Sequence, residues 1–380
     1  MKRARSLLLD ASGAVADLGV LIPIAAALVI LNGFDAGTIL IGVGALYLIA
    51  GVYFRVPVPV QPIKAASAIA IAAGLAPPHL AAAAVLIGII LMVIGLTDST
   101  RFVTAIFALP LVRGVQLGVG LILVNAALGL GGDTAGLWFF LVSGAIALAL
   151  IGAGFYRVQV PLALIVVLGG VTFGLLSGAG VEWHSSWWRP DVSFSALQPA
   201  TLWGALFLLV IPQIPLTLGN AVVAVVDVER RYFGDRAERV DPRAICISAG
   251  TANLAAGLLT GMPMCHGSGG LTAHYRAGAR TFRMNLLIGG VLLGLGLFFS
   301  ATAFGLLALI PLAVLAGLLA FTGTVHAFLV ADLRGYELLV ALAMGLIGLA
   351  TTNLAISLAV GMSMYWPVRW TVPSLLGQEA

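Results

Sequence analysis

Apolar residues run almost without interruption from Leu7 to Trp370, and short breaks of Pro, Gly or charge divide them into segments. Apolar runs of about 18 residues or more read as membrane spans. The breaks predict helices over 7–31, 36–54, 63–75, 80–97, 102–128, 136–155, 158–178, 200–226, 244–260, 266–276, 284–300, 302–321, 335–350 and 352–366. Two of these, 63–75 and 266–276, are too short to cross a hydrocarbon core of about 30 Å as helices rising about 1.5 Å per residue. Each follows a break rich in Pro, Gly and polar residues, Val56-Pro57-Val58-Pro59-Val60-Gln61-Pro62-Ile63-Lys64 and Gly261-Met262-Pro263-Met264-Cys265-His266-Gly267-Ser268-Gly269-Gly270. The breaks must complete the crossing in extended form. They must also lie inside protein, because unpaired backbone cannot face lipid. Pairing with each other as short strands would satisfy that demand.

The elements fall into two sets of seven, 1–190 and 191–380. An odd count forces the halves into opposite orientations. Weak matches recur in the same order: Asp17-Leu18-Gly19 with Thr217-Leu218-Gly219-Asn220, Pro59 to Lys64 with Pro263 to Ser268, and Leu109-Pro110-Leu111 with Ile310-Pro311-Leu312. Aligning Pro59 with Pro263 sets Gln61 beside Cys265 and Pro62 beside His266. The expected fold is therefore an all-α polytopic membrane protein, a seven-plus-seven inverted repeat with two half-helices.

Composition sharpens this reading. The 380 residues are 61% hydrophobic and 9% charged, with a mean hydropathy of +1.11, so lipid must cover the surface. The N-terminal Met1-Lys2-Arg3-Ala4-Arg5 and its apolar run resemble a signal peptide, but no polar cleavage region interrupts the run before Leu31, which favours a retained span. Cys246 and Cys265 sit in apolar context and suggest no disulfide.

The net charge of +4 matters through its placement and gives no reason to expect nucleic acid. With the N-terminus inside, the cytoplasmic loops receive Lys2, Arg3, Arg5, Arg55, Arg101, Arg157, the five arginines between Arg230 and Arg243, Arg276, Arg280, Arg283, Arg334 and Arg369. The outside receives only Arg189. This bias sets both termini on the cytoplasmic face of a multi-pass cell-membrane protein. The Trp-rich segment 181–190 reads as an interfacial linker, and the charged loop 227–243 as solvated.

Lys64 and Arg113 remain at membrane depth. Inversion turns the N-termini of 63–75 and 266–276 toward one region, and each presents free N–H groups and roughly half a positive charge. Opposed helix ends of this kind make an anion site. Gln61, Pro62 and Lys64 frame the first end; Gln61 can donate to an oxyanion or satisfy local backbone, and Lys64 adds charge that cannot easily snorkel. His266, Gly267 and Ser268 frame the second; the glycine admits close approach and Ser268 can cap or donate. His266 is as readily a structural histidine as a ligand. Arg113, about 11 residues into its helix, is placed near the midplane with Asp17; the two could pair with each other, or Arg113 could meet the anion. Pro212 and Pro215 interrupt the eighth helix, with Gln213, Thr217 and Asn220 on one face, toward a cavity or a neighbouring helix.

Together, Ala16 to Pro23, Pro57 to Lys64, Arg113-Gly114-Val115-Gln116-Leu117-Gly118, Ile211 to Asn220 and Gly261 to Gly267 resemble the molybdate transporters related to the sulfate permeases. The resemblance implies a core domain moving against a gate domain, both interleaved from the two repeats, and an oxyanion held between the third and tenth elements. It also implies a chain without the C-terminal cytoplasmic regulatory domain of the sulfate permeases, since only 371–380 follow the last span.

The expectation is a secondary transporter of a tetrahedral oxyanion, molybdate before sulfate, working by alternating access. Gln61, Pro62, Lys64, Gln213, His266, Gly267 and Ser268 would hold substrate; Asp17, Arg113 and Asn220 would serve as intramembrane charge or coupling groups. Import of a dianion against a negative interior works against about 2.3 kcal/mol per charge per 100 mV, which points to cation symport, with Asp17 or His266 as proton carriers. An anion channel, or sulfate, bicarbonate or a nucleobase as substrate on the same fold, are the alternatives. No nucleophile–base set or metal-ligand spacing is present, so no enzymatic activity, cofactor or metal is expected. A monomer and a homodimer both fit the sequence.

Overall fold

The computed structural model describes residues 2–132, 136–155, 162–178, 186–190 and 194–371. The start of the expected 158–178 helix, the first half of the Trp-rich linker and the tail 372–380 lie outside them. The fold is a bundle of helices around one two-stranded sheet. Among the described residues, five helical stretches are long and apolar enough to span a membrane: Ala36–Phe54, Pro77–Leu96, Leu109–Gly129, Pro199–Ala237 and Leu312–Asp332.

The first half of the chain forms α1 (Lys2–Ala14), α2 (Leu18–Asn32), α3 (Ala36–Phe54), β1 (Gln61–Pro62), α4 (Lys64–Ala73), α5 (Pro77–Leu96), α6 (Thr100–Ile106), α7 (Leu109–Gly129), α8 (Leu137–Phe155) and α9 (Leu162–Leu176). The second half forms α10 (Pro199–Ala205), α11 (Ile211–Leu216) and α12 (Ala224–Phe233) as one winding, then α13 (Pro242–Leu258), β2 (Met264–Cys265), α14 (Ser268–Arg276), α15 (Arg283–Phe298), α16 (Ser300–Ala308), α17 (Leu312–Ala327), α18 (Gly335–Thr351) and α19 (Leu354–Thr371).

Three expected helices are broken. The span 7–31 divides at Val15–Asp17, where the carbonyl of Gly13 accepts from His274 instead of continuing the helix. The span 102–128 divides before Leu109-Pro110, and 302–321 before Leu312. Pro110 and Pro311 lack the N–H that a continuing helix needs, and Pro311 disfavours helix at Ile310 before it. The eighth span stays continuous but loosens to π-helix over Leu206–Val210 and Thr217–Val223, on either side of Pro212 and Pro215. Breaks at corresponding places in the two halves fit an inverted repeat.

The two halves interlock. α3 packs along α15 and α5 along α13, so each pairs with an element of the other half, while α7 packs against α17. A second group forms where α7 also meets α18 and α19, and α8 meets α17.

At the centre, β1 and β2 pair antiparallel, with Gln61 opposite Cys265 and Pro62 opposite Met264. Ile63 N–H adds a bond to Pro263 O at 3.1 Å. Gln61 thus faces its own repeat counterpart, and α4 and α14 leave the sheet in opposite directions. Two strands leave two bare edges in a place without water. Buried asparagines cover the edge of β2 and the extended backbone that leads into β1. Asn253 of α13 accepts from Met264 N–H at 2.9 Å and donates to Met264 O at 2.7 Å. Asn285 of α15 accepts from Val58 N–H at 3.1 Å and donates to Val58 O at 2.7 Å. Each carboxamide stands in for a third strand.

Asn253→Ala or Asn285→Ala should therefore cost about 2 kcal/mol each, because a buried backbone donor and acceptor lose their partners. Thermal unfolding of the purified protein in detergent reads this; an unchanged midpoint in both variants would mean that the sheet edges need no such cover.

Candidate functional site

The two half-helix ends face the same region but are chemically unequal. α4 begins at Lys64 and α14 at Ser268, corresponding positions in the two repeats. At α4, Gln213 reaches across from α11, and its Oε1 accepts from Ala65 N–H at 2.9 Å and Ala66 N–H at 3.3 Å. Its Nε2 donates to Thr217 Oγ1 at 3.0 Å. Gln213 therefore caps α4 from outside and occupies donors expected for the anion. At α14, the N-cap is Gly267, which has no side chain to cap with. The N–H groups of Ser268, Gly269 and Gly270 lack intrahelical acceptors, and Ser268 and Gly269 line a cavity of about 860 Å³.

Lys64, Gln61, Asp17, Asn220 and Arg113 line the same cavity. The groups are tied in series. Lys64 Nζ donates to Gln61 Oε1 at 3.0 Å, and Gln61 Nε2 donates to Asp17 Oδ1 at 2.6 Å. Ser268 Oγ donates to Asn220 Oδ1 at 2.6 Å. Ser268 is thus tethered to the π-helical segment and does not cap its own helix.

Several expected roles change. Pro62 is buried within β1 and is structural. His266 is also buried: one ring nitrogen, Nδ1, meets Pro59 O at 2.8 Å and the other, Nε2, meets Ser248 Oγ at 3.0 Å. Both nitrogens are used in tying the Pro-rich lead-in to α13, and His266 does not line the cavity. Gly267 makes room for a side chain of the protein rather than for a ligand, because a Cβ there would collide with Gln61 Oε1. Gly270 does the same for Asp17 Oδ2 and Gln61 Nε2. Arg113 does not pair with Asp17. Its guanidinium donates through Nε, at 3.0 Å, and Nη2, at 2.5 Å, to Asp332, and through Nη1 to Gln116 at 2.9 Å. The helix break at Pro110 turns Arg113 toward the segment after α17.

Asp332, His274 and His326 carry no signal in the sequence, and Gln116 stands there only within the motif Arg113 to Gly118. His326 of α17 and Gln116 of α7 also line the cavity, and both border a smaller pocket together with Lys64. Each lies inside an apolar helix where a single polar residue signals only a buried contact. Among the described residues no cluster of ligands could hold a metal.

This arrangement has relatives. The family described as "Molybdate transporter of MFS superfamily" matches residues 10–123 and 205–325. Molybdate transporter 2 of Arabidopsis thaliana is 30% identical over 412 residues, covering 94% of this chain and 86% of that protein. The chain belongs to the molybdate transporter family. Molybdate transporter 1 of Chlamydomonas reinhardtii is 27% identical over 470 residues, covering 90% of the chain and 88% of that protein. For this family member the fold is that of the SLC26-type transmembrane domains. The transmembrane domain of a cyanobacterial bicarbonate transporter, BicA, superposes with a TM-score of 0.68 at 18% identity, covering 95% of this chain and 98% of that one. The anion transporter Slc26a9 of mouse in an inward-facing state gives 0.65 at 17% identity, covering 95% and 68%. The inverted-repeat fold and the multi-pass membrane setting of this molybdate-transporter family member follow, and it is a transporter rather than an enzyme.

The three glycines after His266 provide a test. Gly269 faces open space, whereas Gly267 and Gly270 touch a Gln61 that Lys64 and Asp17 hold in place. Gly267→Ala and Gly270→Ala should each lower the unfolding midpoint and weaken anion binding. Gly269→Ala should leave the midpoint in place. Equal midpoints for all three would contradict the close packing at Gln61.

Proposed function

We propose that the protein carries a tetrahedral oxyanion, molybdate, across the cell membrane by alternating access, with cation symport and with both termini on the cytoplasmic side. The observation that carries the reading is one cavity bounded by the Lys64 ammonium and by the uncapped N-terminus of α14. A helix N-terminus offers N–H donors and about half a positive charge, and an ammonium adds a full charge; both suit a dianion. Lys64, Ser268, Gly269 and Asn220 are the groups assigned to direct contact. Gln61 and Gln213 position Lys64 and α4. Arg113, held by Asp332 and Gln116, supplies a further positive charge at the cavity wall.

The group containing α7, α8, α17, α18 and α19 faces the cavity from one side, and the sheet with α4 and α14 from the other. Rocking one group, the gate, against the other, the core, would expose the cavity to each face in turn. The names of the relatives favour molybdate over sulfate. A membrane interior crowded with exposed apolar side chains makes lipid the surrounding partner.

Purified protein in proteoliposomes should take up labelled molybdate, with sulfate a weaker competitor. Lys64→Gln should raise the half-saturating concentration about tenfold, equivalent to about 1.4 kcal/mol. Sulfate winning at equal concentration would overturn the substrate. Large unitary currents would replace the carrier with a channel. Unchanged affinity in Lys64→Gln would remove Lys64 from the site.

A further inference from the structure

Behind the cavity, two buried acceptor atoms face each other without a hydrogen between them. Asp17 Oδ1 accepts from Gln61, but Asp17 Oδ2 accepts no hydrogen bond from any described residue. It lies 4.0 Å from His274 Nε2. The tautomer of His274 follows from its other nitrogen: Nδ1 sits 2.7 Å from Gly13 O, which can only accept, so Nδ1 carries the hydrogen. In neutral imidazole Nε2 is then bare, and the Tyr47 hydroxyl donates to it at 3.3 Å. Both residues are buried, and His274 is 0% exposed. The unsatisfied Asp17 oxygen thus lies beside a nitrogen whose one lone pair accepts from Tyr47, with no hydrogen between Oδ2 and Nε2, and the buried oxygen costs free energy until a donor arrives.

We propose that Asp17 and His274 form a shared proton-binding site, and that Gln61 links it to the anion held at Lys64. The proposal rests on the oxyanion-transport reading above and names its coupling ion. A hydronium in the cavity gives its proton to Asp17 Oδ2 or His274 Nε2 and leaves as water; no electrons move. The added hydrogen bridges the two atoms, as an acid donating to imidazole or an imidazolium donating to carboxylate.

The surroundings make this proton exchangeable. Lys64 of α4, acting through Gln61, and the positive end of α2, whose first turn begins at Asp17, favour the carboxylate. Asp17 Oδ2, which accepts no hydrogen bond from a described residue, favours capture. Tyr47 of α3 and His274 of α14 face the site as neutral groups, and Cys265 of β2 lies buried opposite Gln61. Asp17 does not cap its own helix, although an aspartate at that position ordinarily would. Its side chain is spent on Gln61 and on the approach to His274.

Coupling follows from charge. With Asp17 ionised, the Asp17–Gln61–Lys64 chain is neutral overall. With the proton bound, it carries one positive charge beside the cavity, which strengthens binding of a dianion. By reciprocity the dianion strengthens binding of the proton. Proton and anion then travel together through the same rearrangement.

Infrared difference spectroscopy on the full-length protein in lipid tests the site without any anion. Acidification should raise a carboxylic-acid carbonyl band that Asp17→Asn removes, that Asp17→Glu retains at a shifted frequency, and whose midpoint His274→Gln moves. Glu229→Gln serves as control, because Glu229 is a second buried carboxylate without a partner, and it should leave the Asp17 band in place. Molybdate binding to the wild type should weaken toward high pH, by up to about tenfold per pH unit for one linked proton. That slope should vanish in Asp17→Asn while binding itself persists.

A band unaffected by Asp17→Asn and by His274→Gln, in variants that unfold at the wild-type temperature, would overturn the site. So would an undiminished pH slope in Asp17→Asn. The infrared titration decides the proton site even if molybdate is replaced by another anion as substrate, so failure of the substrate reading stays distinguishable from failure of this one.

Discussion

Extended backbone inside a membrane has to be hydrogen-bonded completely, and the rest of this structure is arranged around that demand. The crossing begins as helix from one side and ends as extended chain in the middle, twice, in opposite directions. The two extended pieces pair with each other. Asn253 then closes the edge of β2, Asn285 holds the extended lead-in to β1 at Val58, and His266 anchors the carbonyl of Pro59 to α13 through Ser248. Without these side chains the half-helices could not start at mid-membrane, and there would be no helix end for an anion to meet.

Duplication provides the frame, but the chemistry depends on how the repeats have diverged. Lys64 and Ser268 occupy matching positions, yet one brings a charge and the other a hydroxyl tethered to Asn220. Gln213 caps the N-terminus of α4, while no described side chain caps that of α14. An anion in the cavity therefore meets an ammonium on one side and bare N–H groups on the other. The asymmetry extends behind the site. Gln61 reaches Asp17, whereas its counterpart Cys265 offers only a sulfur about 4 Å from Pro62 O. Polar function is concentrated along one line from Lys64 through Gln61 to Asp17 and His274.

Much of the site was legible before folding was considered. Lys64, Gln61, Ser268, Asn220, Asp17 and Arg113 all line one cavity. Lys64, Gln61 and Ser268 stand in breaks between apolar runs, and Asp17, Arg113 and Asn220 are charged or polar residues at membrane depth within those runs, where such residues are costly without a function. Roles were harder. His266 and Pro62 stand in the right break but point into the scaffold, and Gly267 yields to Gln61 rather than to a ligand. Adjacent residues in an extended segment point to opposite faces, so membership of the motif does not tell which side chains reach the cavity.

By itself the sequence determined the membrane setting, the two sets of seven elements, the opposed half-helices and their pairing, because these follow from hydrophobic run lengths, proline placement and backbone satisfaction. Only the tertiary structure decided who partners whom. Arg113 turns to Asp332 rather than Asp17, Gln213 caps a helix distant in sequence, and His274, unmarked within α14, arrives opposite Asp17. Such choices depend on distances of a few ångströms between elements far apart in the chain. The breaks at Asp17 and Pro110 set those distances by redirecting whole helices, and local pattern carries no record of where a redirected helix ends.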